Sequence, residues 1–88
     1  LNADPYDAEG IVNQLLYVKG ATISALLTEG EDEVRISFRS VTGISVRELA
    51  QKWDGGGHPQ AAACKLSLPL ERALDLVSQE LEEYAKNV

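Results

Sequence analysis

The sequence predicts an α+β fold, a small sheet containing a β-hairpin and packed against helices, in the order α-β-β-α-β-α. Two observations carry this prediction. Residues 33–40, EVRISFRS, alternate apolar with polar side chains, as a strand with one buried face does. Residues 70–84 repeat apolar side chains at the spacing of a helix. The chain has 88 residues, so we expect a single domain over 1–88.

The first predicted element is a helix within residues 4–18. Asp4-Pro5 and Asp7 each offer a start, because Asp is a favourable N-cap and Pro suits the first helical position. Apolar side chains then recur at helical spacing, and Gly20 is expected to end the helix. The recurring residues are Ile11, Leu15 and Val18, with Val12 and Leu16 beside them.

A hairpin of two strands is predicted next, over residues 21–28 and 33–40. Each strand has one apolar side that should face the core. The expected core residues are Ile23, Ala25, Leu27, Val34, Ile36 and Phe38, and the expected polar side of the second strand is Arg35, Ser37 and Arg39.

A second helix, a third strand and a last helix complete the order. Ser45 and Glu48 have the spacing of a capping box, which predicts the start of the second helix. Pro69 is expected to begin the last helix. The expected apolar positions are Val46, Leu49, Ala50 and Trp53 in the second helix, Cys64, Leu66 and Leu68 in the strand, and Leu70, Ala73, Leu74, Val77, Leu81 and Tyr84 in the last helix.

The charge of the chain is unevenly distributed. The formal net charge is −6, which by itself disfavours a polyanionic partner. Residues 33–65, however, hold five Lys or Arg against three acids, together with the only histidine. A phosphate-bearing ligand should therefore meet this middle segment, although ordinary solvated charges would also account for the asymmetry.

No apolar run approaches the roughly 20 residues needed to span a bilayer, and one cysteine cannot form an internal disulfide. We therefore expect a cytoplasmic protein without a membrane partner, with Cys64 as a buried structural thiol. Glu80, Glu82 and Glu83 are expected to form a solvated helix face.

The stretch WDGGGHPQAAAC, residues 53–64, holds the candidate site. One glycine after Trp53 would be an ordinary helix C-cap, which accounts for Gly55 but not for a third glycine in the row. Consecutive glycines can also point successive amides at an anion. His58 could donate to a phosphate oxygen, and Arg39 could make a forked pair of hydrogen bonds to one. Arg35 is interpreted as a solvent-facing residue, and Trp53 as core rather than as a base-stacking platform.

These motifs resemble one family. SFRS at 37–40, a helix, and GGGHPQAAAC at 55–64, together with EGIVNQLLYVKGATISALL at 9–27, resemble the C-terminal DHH-associated domain of the DHH phosphoesterase family. Within the family the chain looks most like bacterial oligoribonucleases that also dephosphorylate 3′-phosphoadenosine 5′-phosphate.

The resemblance implies a division of labour. An N-terminal DHH domain upstream would carry a pair of divalent metals, usually manganese, whose bound hydroxide attacks phosphorus. This chain would bind short RNA or a nucleotide phosphate, would hold no metal itself and would be inactive alone. The implied substrate-binding residues are Arg39, Ser40, Gly55, Gly56, Gly57 and His58, with His58 also catalytic.

Two departures and four alternatives accompany the resemblance. Ala63 stands where the family usually has Gly, which would strain a backbone that needs positive φ, and Trp53 stands where Phe is common. The same module could serve a cyclic dinucleotide phosphodiesterase or a single-strand exonuclease. It could also be a non-catalytic RNA-binding domain like that of alanyl-tRNA synthetases, or a plain regulatory domain.

Overall fold

A computed structural model describes residues 2–8, 11–17, 22–41 and 43–86. Six strands form one antiparallel sheet in the order β1-β2-β3-β4-β6-β5. The strands are β1 Asn2–Ala8, β2 Ile11–Tyr17, β3 Ile23–Glu29, β4 Val34–Ser40, β5 Gly56–His58 and β6 Ala61–Leu66, and the helices are α1 Arg47–Gln51 and α2 Leu70–Lys86. Buried residues of both helices and of strands β2, β3, β4 and β6 form one apolar cluster, so both helices cover the same face of the sheet. The predicted α+β class is confirmed.

The predicted hairpin is confirmed as β3 and β4. Ile23 lies opposite Ser40 and Glu29 opposite Val34, so the two strands pair along their whole length. At the turn, the Gly30 N–H donates to the Glu33 carbonyl over 2.7 Å. All six residues expected to face the core on these strands are buried.

The predicted first helix is wrong, because its segment forms the antiparallel strands β1 and β2. Apolar residues there come in adjacent pairs, Ile11-Val12 and Leu15-Leu16, which fit a helical period and a strand period equally well. Pairing with β3 decides between them: Leu16 lies opposite Ala25, and both are buried. Pro5 lies in β1, at the edge of the sheet, which is the position where proline is tolerated in a strand. Val18 and Gly20, at the predicted end of that helix, lie outside the described residues.

Helix α1 begins one residue later than the capping-box spacing predicts. Val46 is the N-cap, and no side chain caps the helix. Ser45 and Glu48 do meet, but the Ser45 hydroxyl donates to the Glu48 carboxylate over 2.7 Å instead of accepting the amide of the third helical residue. That hydrogen bond is the main reason why the pKa of Glu48 is lowered.

The last strand and the last helix match their predictions closely. In β6, Cys64 and Leu66 are buried, whereas Leu68 lies past the end of the strand and is half-buried. Burial raises the pKa of the Cys64 thiol to about 11, so it is protonated at neutral pH.

Ala73, Val77 and Leu81 bury one face of α2. Glu80 is not simply solvated, since it pairs with Lys52 over 2.6 Å.

Trp53 follows α1 and completes the core at one end. It is half-buried, and its ring stacks on Phe38 with centroids 6.4 Å apart and planes 15° apart. The expectation of a core tryptophan is met on that side, while another part of the residue borders a surface groove.

Tyr84 joins α2 to the start of α1. Its hydroxyl donates to the Ser45 carbonyl and lies 3.3 Å from a carboxylate oxygen of Glu48. Burial, with help from the Glu48 charge, raises the pKa of Tyr84. The hydroxyl therefore remains a hydrogen-bond donor at neutral pH. Its bond to the Ser45 carbonyl ties the start of α1 to α2.

Replacing Tyr84 by Phe should lower the free energy of unfolding by about 1 kcal/mol, because the Ser45 carbonyl loses a partly buried donor. Urea unfolding of the isolated chain measures this loss. Tyr17→Phe is the matched control, since no described residue hydrogen-bonds the Tyr17 hydroxyl. Equal stability of the two variants would contradict a structural role for the Tyr84 hydroxyl.

Candidate functional site

Arg39 and His58 are brought together by the register of three strands. Arg39 on β4 lies opposite Ala61 on β6, and Ala61 lies opposite His58 on β5. Residues directly opposite each other across paired strands project from the same face of the sheet. Adjacent strands are roughly 4.8 Å apart, so the backbones of Arg39 and His58 are about 10 Å apart with one methyl group between them. We call Arg39, Ala61 and His58 the terminal row.

The terminal row lies on the face of the sheet that the helices leave uncovered. On β4, Val34, Ile36 and Phe38 are buried toward the helices, so the alternate residues project the other way. We call this second surface the open face. All three residues of the terminal row are exposed on it.

The turn between β5 and β6 fixes the position of His58. Pro59 and Gln60 form this turn, and the carbonyl of each accepts a hydrogen bond from another element. The Val46 N–H at the start of α1 donates to Pro59, and the Ser40 N–H at the end of β4 donates to Gln60 over 3.1 Å. The turn is thus held from two sides, which limits how far His58 can move relative to Arg39.

Ser40 does not join the terminal row. It follows Arg39 on β4 and therefore projects from the opposite face, where it is 8% exposed. Its backbone N–H contributes to the site by holding Gln60. A direct contact between the Ser40 side chain and a ligand remains a prediction.

The left-handed residue after α1 is Asp54, which corrects the assignment of that role to Gly55. Asp54 has φ 60°, the conformation that ends a helix in a Schellman motif. The Gly55 N–H donates to the Ala50 carbonyl over 2.9 Å, and the Asp54 N–H donates to the Gln51 carbonyl over 3.3 Å. Because Asp54 supplies the left-handed conformation, none of the three glycines is needed for it.

Two of the three glycines are required by close packing. A Cβ on Gly55 would lie 2.2 Å from the Ala63 carbonyl oxygen and 2.6 Å from the Cys64 Cβ. Gly57 has φ 138°, and a Cβ there would lie 2.8 Å from the Cα of Ala62. These contacts show that the backbone at Gly55 and at Gly57 lies closer to β6 than a side chain permits.

Gly56 has no such requirement. A Cβ added there would meet nothing within 4 Å, and its φ lies outside the left-handed range. It lies opposite Ala63 and so projects from the open face, next to the terminal row. Gly56 and Gly57 begin β5, which lies at the edge of the sheet, whereas the Gly55 N–H is occupied by the Ala50 carbonyl.

Ala63 is unstrained. It lies inside β6, and Asp54 is the only residue other than glycine with positive φ in the described part of the chain. The departure from the family pattern at this position therefore does not distort the turn.

The charged residues that β4, β5 and β6 place on the open face are basic. Arg35, Arg39 and Lys65 project from it, together with His58. Among the described residues, Glu33 has its carboxylate 3.6 Å from the Lys65 ammonium, and Asp54 lines the same groove as Arg35 and Lys65. This arrangement agrees with the positive middle segment of the sequence.

Arg35 and Lys65 are neighbouring basic residues of the open face, outside the terminal row, whose juxtaposition sequence reasoning missed. Alternation along β4 already places Arg35 on the same side as Arg39. The missing information was the register of β6, which places Lys65 directly opposite Arg35. That register depends on the path of the chain through α1 and β5, which no local pattern in the sequence specifies.

The residues around His58 do not form a metal centre. Its neighbours in the terminal row are a guanidinium and a methyl group, and neither binds a divalent cation. Among the described residues, no group of three or more His, Cys, Asp or Glu is arranged to hold a metal ion. Neither described helix is long and apolar enough to cross a membrane.

Comparison with known proteins identifies the class. The profile of the DHHA1 domain family matches residues 1–87, nearly the whole chain. The chain belongs to the DHHA1 domain family, the DHH-associated domains, as its motifs predicted.

The similar proteins share one description. The chain is 36% identical over 78 residues to the "Bifunctional oligoribonuclease and PAP phosphatase NrnA" of Thermus thermophilus, covering 88% of this chain and 24% of that protein. The proteins of the same name from Bacillus subtilis and Mycoplasma pneumoniae are 33% identical over 60 residues and 50% identical over 40 residues. These matches cover 68% and 46% of the chain, and 19% and 12% of the relatives. The chain thus spans at most about a quarter of the length of these relatives. No solved structure matches it significantly.

Proposed function

We propose that this chain is the substrate-binding domain of a phosphoesterase that hydrolyses short RNA or nucleotide phosphates. The observation that carries the proposal is the terminal row, where a guanidinium and an imidazole flank a methyl group on an uncovered, basic face. The names of the similar proteins, oligoribonuclease and PAP phosphatase, support this class of substrate.

The terminal row is suited to bind a phosphate by its oxygens. The planar Arg39 guanidinium can donate two parallel hydrogen bonds to two oxygens of one phosphate. His58, on the far side of Ala61, can donate to a third oxygen or to the leaving oxygen. β5 is an edge strand, and since edge strands present unpaired N–H groups we expect it to add neutral donors there. Together these groups position a phosphate and offset its charge, which are the contributions expected of a binding domain.

The remaining chemistry belongs to a second domain in our proposal. A divalent metal pair, manganese in our expectation, would be held by an upstream DHH domain and would supply the activated nucleophile. Because the described residues around His58 do not fit a metal, this chain supplies no metal ligand in the proposal. The chain alone is proposed to bind substrate weakly and to hydrolyse nothing.

Replacing Arg39 by Ala tests the proposal in the longer protein that would contain this domain. Loss of charge-assisted hydrogen bonds is worth about 1.5–3 kcal/mol, so KM should rise roughly 10- to 100-fold. kcat should change little if Arg39 binds the substrate equally tightly in the ground state and in the transition state. Steady-state kinetics on 3′-phosphoadenosine 5′-phosphate and on a short RNA give both constants.

Arg72→Ala is the matched control, because Arg72 is an exposed arginine on α2, away from the open face. It should leave both constants unchanged. If Arg39→Ala and Arg72→Ala behave alike, the terminal row does not bind the substrate.

A further inference from the structure

Arg35 and Lys65 form a second cationic row on the open face. They lie directly opposite each other on β4 and β6, and both are exposed. No described residue hydrogen-bonds or ion-pairs with the Arg35 side chain, and Lys65 has the 3.6 Å contact with Glu33. An exposed ion pair of this kind contributes little, so Lys65 is available to an anion at small cost.

The second row borders a groove at the end of β6 that β5 does not cover. Trp53, Asp54, Gly55 and Ala63 also line this groove. The negative charge of Asp54 disfavours a phosphate beside it, so we expect a phosphate in this groove to lie next to Arg35 and Lys65.

The surface between the two cationic rows is made of small residues. Ser37, Ala63 and Gly56 lie opposite one another, two positions from each row along the strands. Arg35 and Arg39 are four residues apart on β4, which is about 13 Å at the rise of a strand. A ligand that contacts both rows must therefore extend over this distance, across a surface with no bulky side chain.

We propose that Arg35 and Lys65 bind a backbone phosphate of single-stranded RNA whose terminal nucleotide is held at the terminal row. The inference rests on the proposed function and adds a distinction between substrates. A chain of three or more nucleotides reaches the second row, whereas a mononucleotide held at the terminal row does not. The second row thus contributes to the binding of oligonucleotides and not to the binding of mononucleotides.

The double variant Arg35→Ala/Lys65→Ala in the full-length enzyme tests this distinction. For a five-nucleotide RNA, KM should rise roughly tenfold, and the salt dependence of binding should weaken by about 0.7 logarithmic units per lost phosphate contact. For 3′-phosphoadenosine 5′-phosphate, KM should stay within twofold of the wild-type value. The melting temperature should also be unchanged, because both side chains are exposed.

Arg72→Ala is again the control and should alter neither substrate's constants. An equal change of KM for both substrates, or none for the RNA, overturns the second row as an oligonucleotide subsite. If Arg39→Ala still impairs both substrates in that case, the proposed function stands and only the subsite fails. If the wild-type enzyme hydrolyses neither substrate, both proposals fail.

Discussion

Replacing His58 by Ala should lower kcat of the full-length enzyme by roughly 10²-fold or more while the domain stays folded. The imidazole is exposed at the end of an edge strand, so its removal should change the free energy of unfolding by less than about 0.5 kcal/mol. The loss should appear in kcat because a group that assists charge or proton transfer at phosphorus acts mainly in the transition state. Rapid-quench or steady-state kinetics at saturating substrate measure it.

His58→Gln provides the comparison, since its amide retains a donor that can reach a phosphate oxygen but cannot transfer a proton. Partial recovery of kcat would assign the role of His58 to hydrogen bonding, and no recovery would assign it to proton transfer. Metal content should equal that of the wild type in both variants, because in our proposal the metal ligands lie in the upstream domain. A His58→Ala protein that melts early yet turns over normally would show that the residue serves packing alone.

Replacing Gly55 by Ala should destabilise the isolated chain by about 3 kcal/mol, among the larger costs of overpacking. The new methyl would lie 2.2 Å from the Ala63 carbonyl oxygen, which belongs to a paired strand and cannot move without breaking the β4–β6 ladder. For a domain of this size the melting temperature should fall by roughly 10–20 °C. Thermal unfolding followed by circular dichroism measures the shift.

Gly56→Ala is the matched control at the next position, where the added methyl meets nothing. Its melting temperature should stay close to that of the wild type. In the full-length enzyme the same variant should raise KM, because the methyl projects from the open face beside the terminal row and holds a phosphate off the backbone. Gly55→Ala and Gly56→Ala melting alike would show that the clash at Gly55 is relieved by movement.

In the elements that the sequence predicted correctly, the spacing of the apolar residues fits only one type of secondary structure. The alternation in β4 and the long apolar stripe of α2 each fit one secondary structure, and both form as expected. The segment at 11–17 has paired apolar residues, which fit both periods, and its pairing with β3 determines that it is a strand. A local window does not contain that partner.

The candidate site also depends partly on local motifs and partly on strand pairing between distant parts of the chain. The positions of Arg39 and His58 follow from short motifs, but their placement in one row follows from Ala61, which pairs with both. Asp54 in the left-handed position after α1 was also unpredictable, since glycine is the usual choice there and three glycines follow it.

The pairing of β4 with β6 has a consequence for how the domain folds. Adjacent strands from β1 to β4 are joined in sequence, whereas residues 41–60 separate β4 from β6. Local hairpins form before contacts that need a longer loop to close. A partly folded chain can therefore contain β3 and β4, with Arg39 already in place, and still lack the opposing Ala61 and His58. In our proposal, phosphate affinity therefore arises only when β5 and β6 dock, and a bound nucleotide would stabilise only the chain that has completed this sheet.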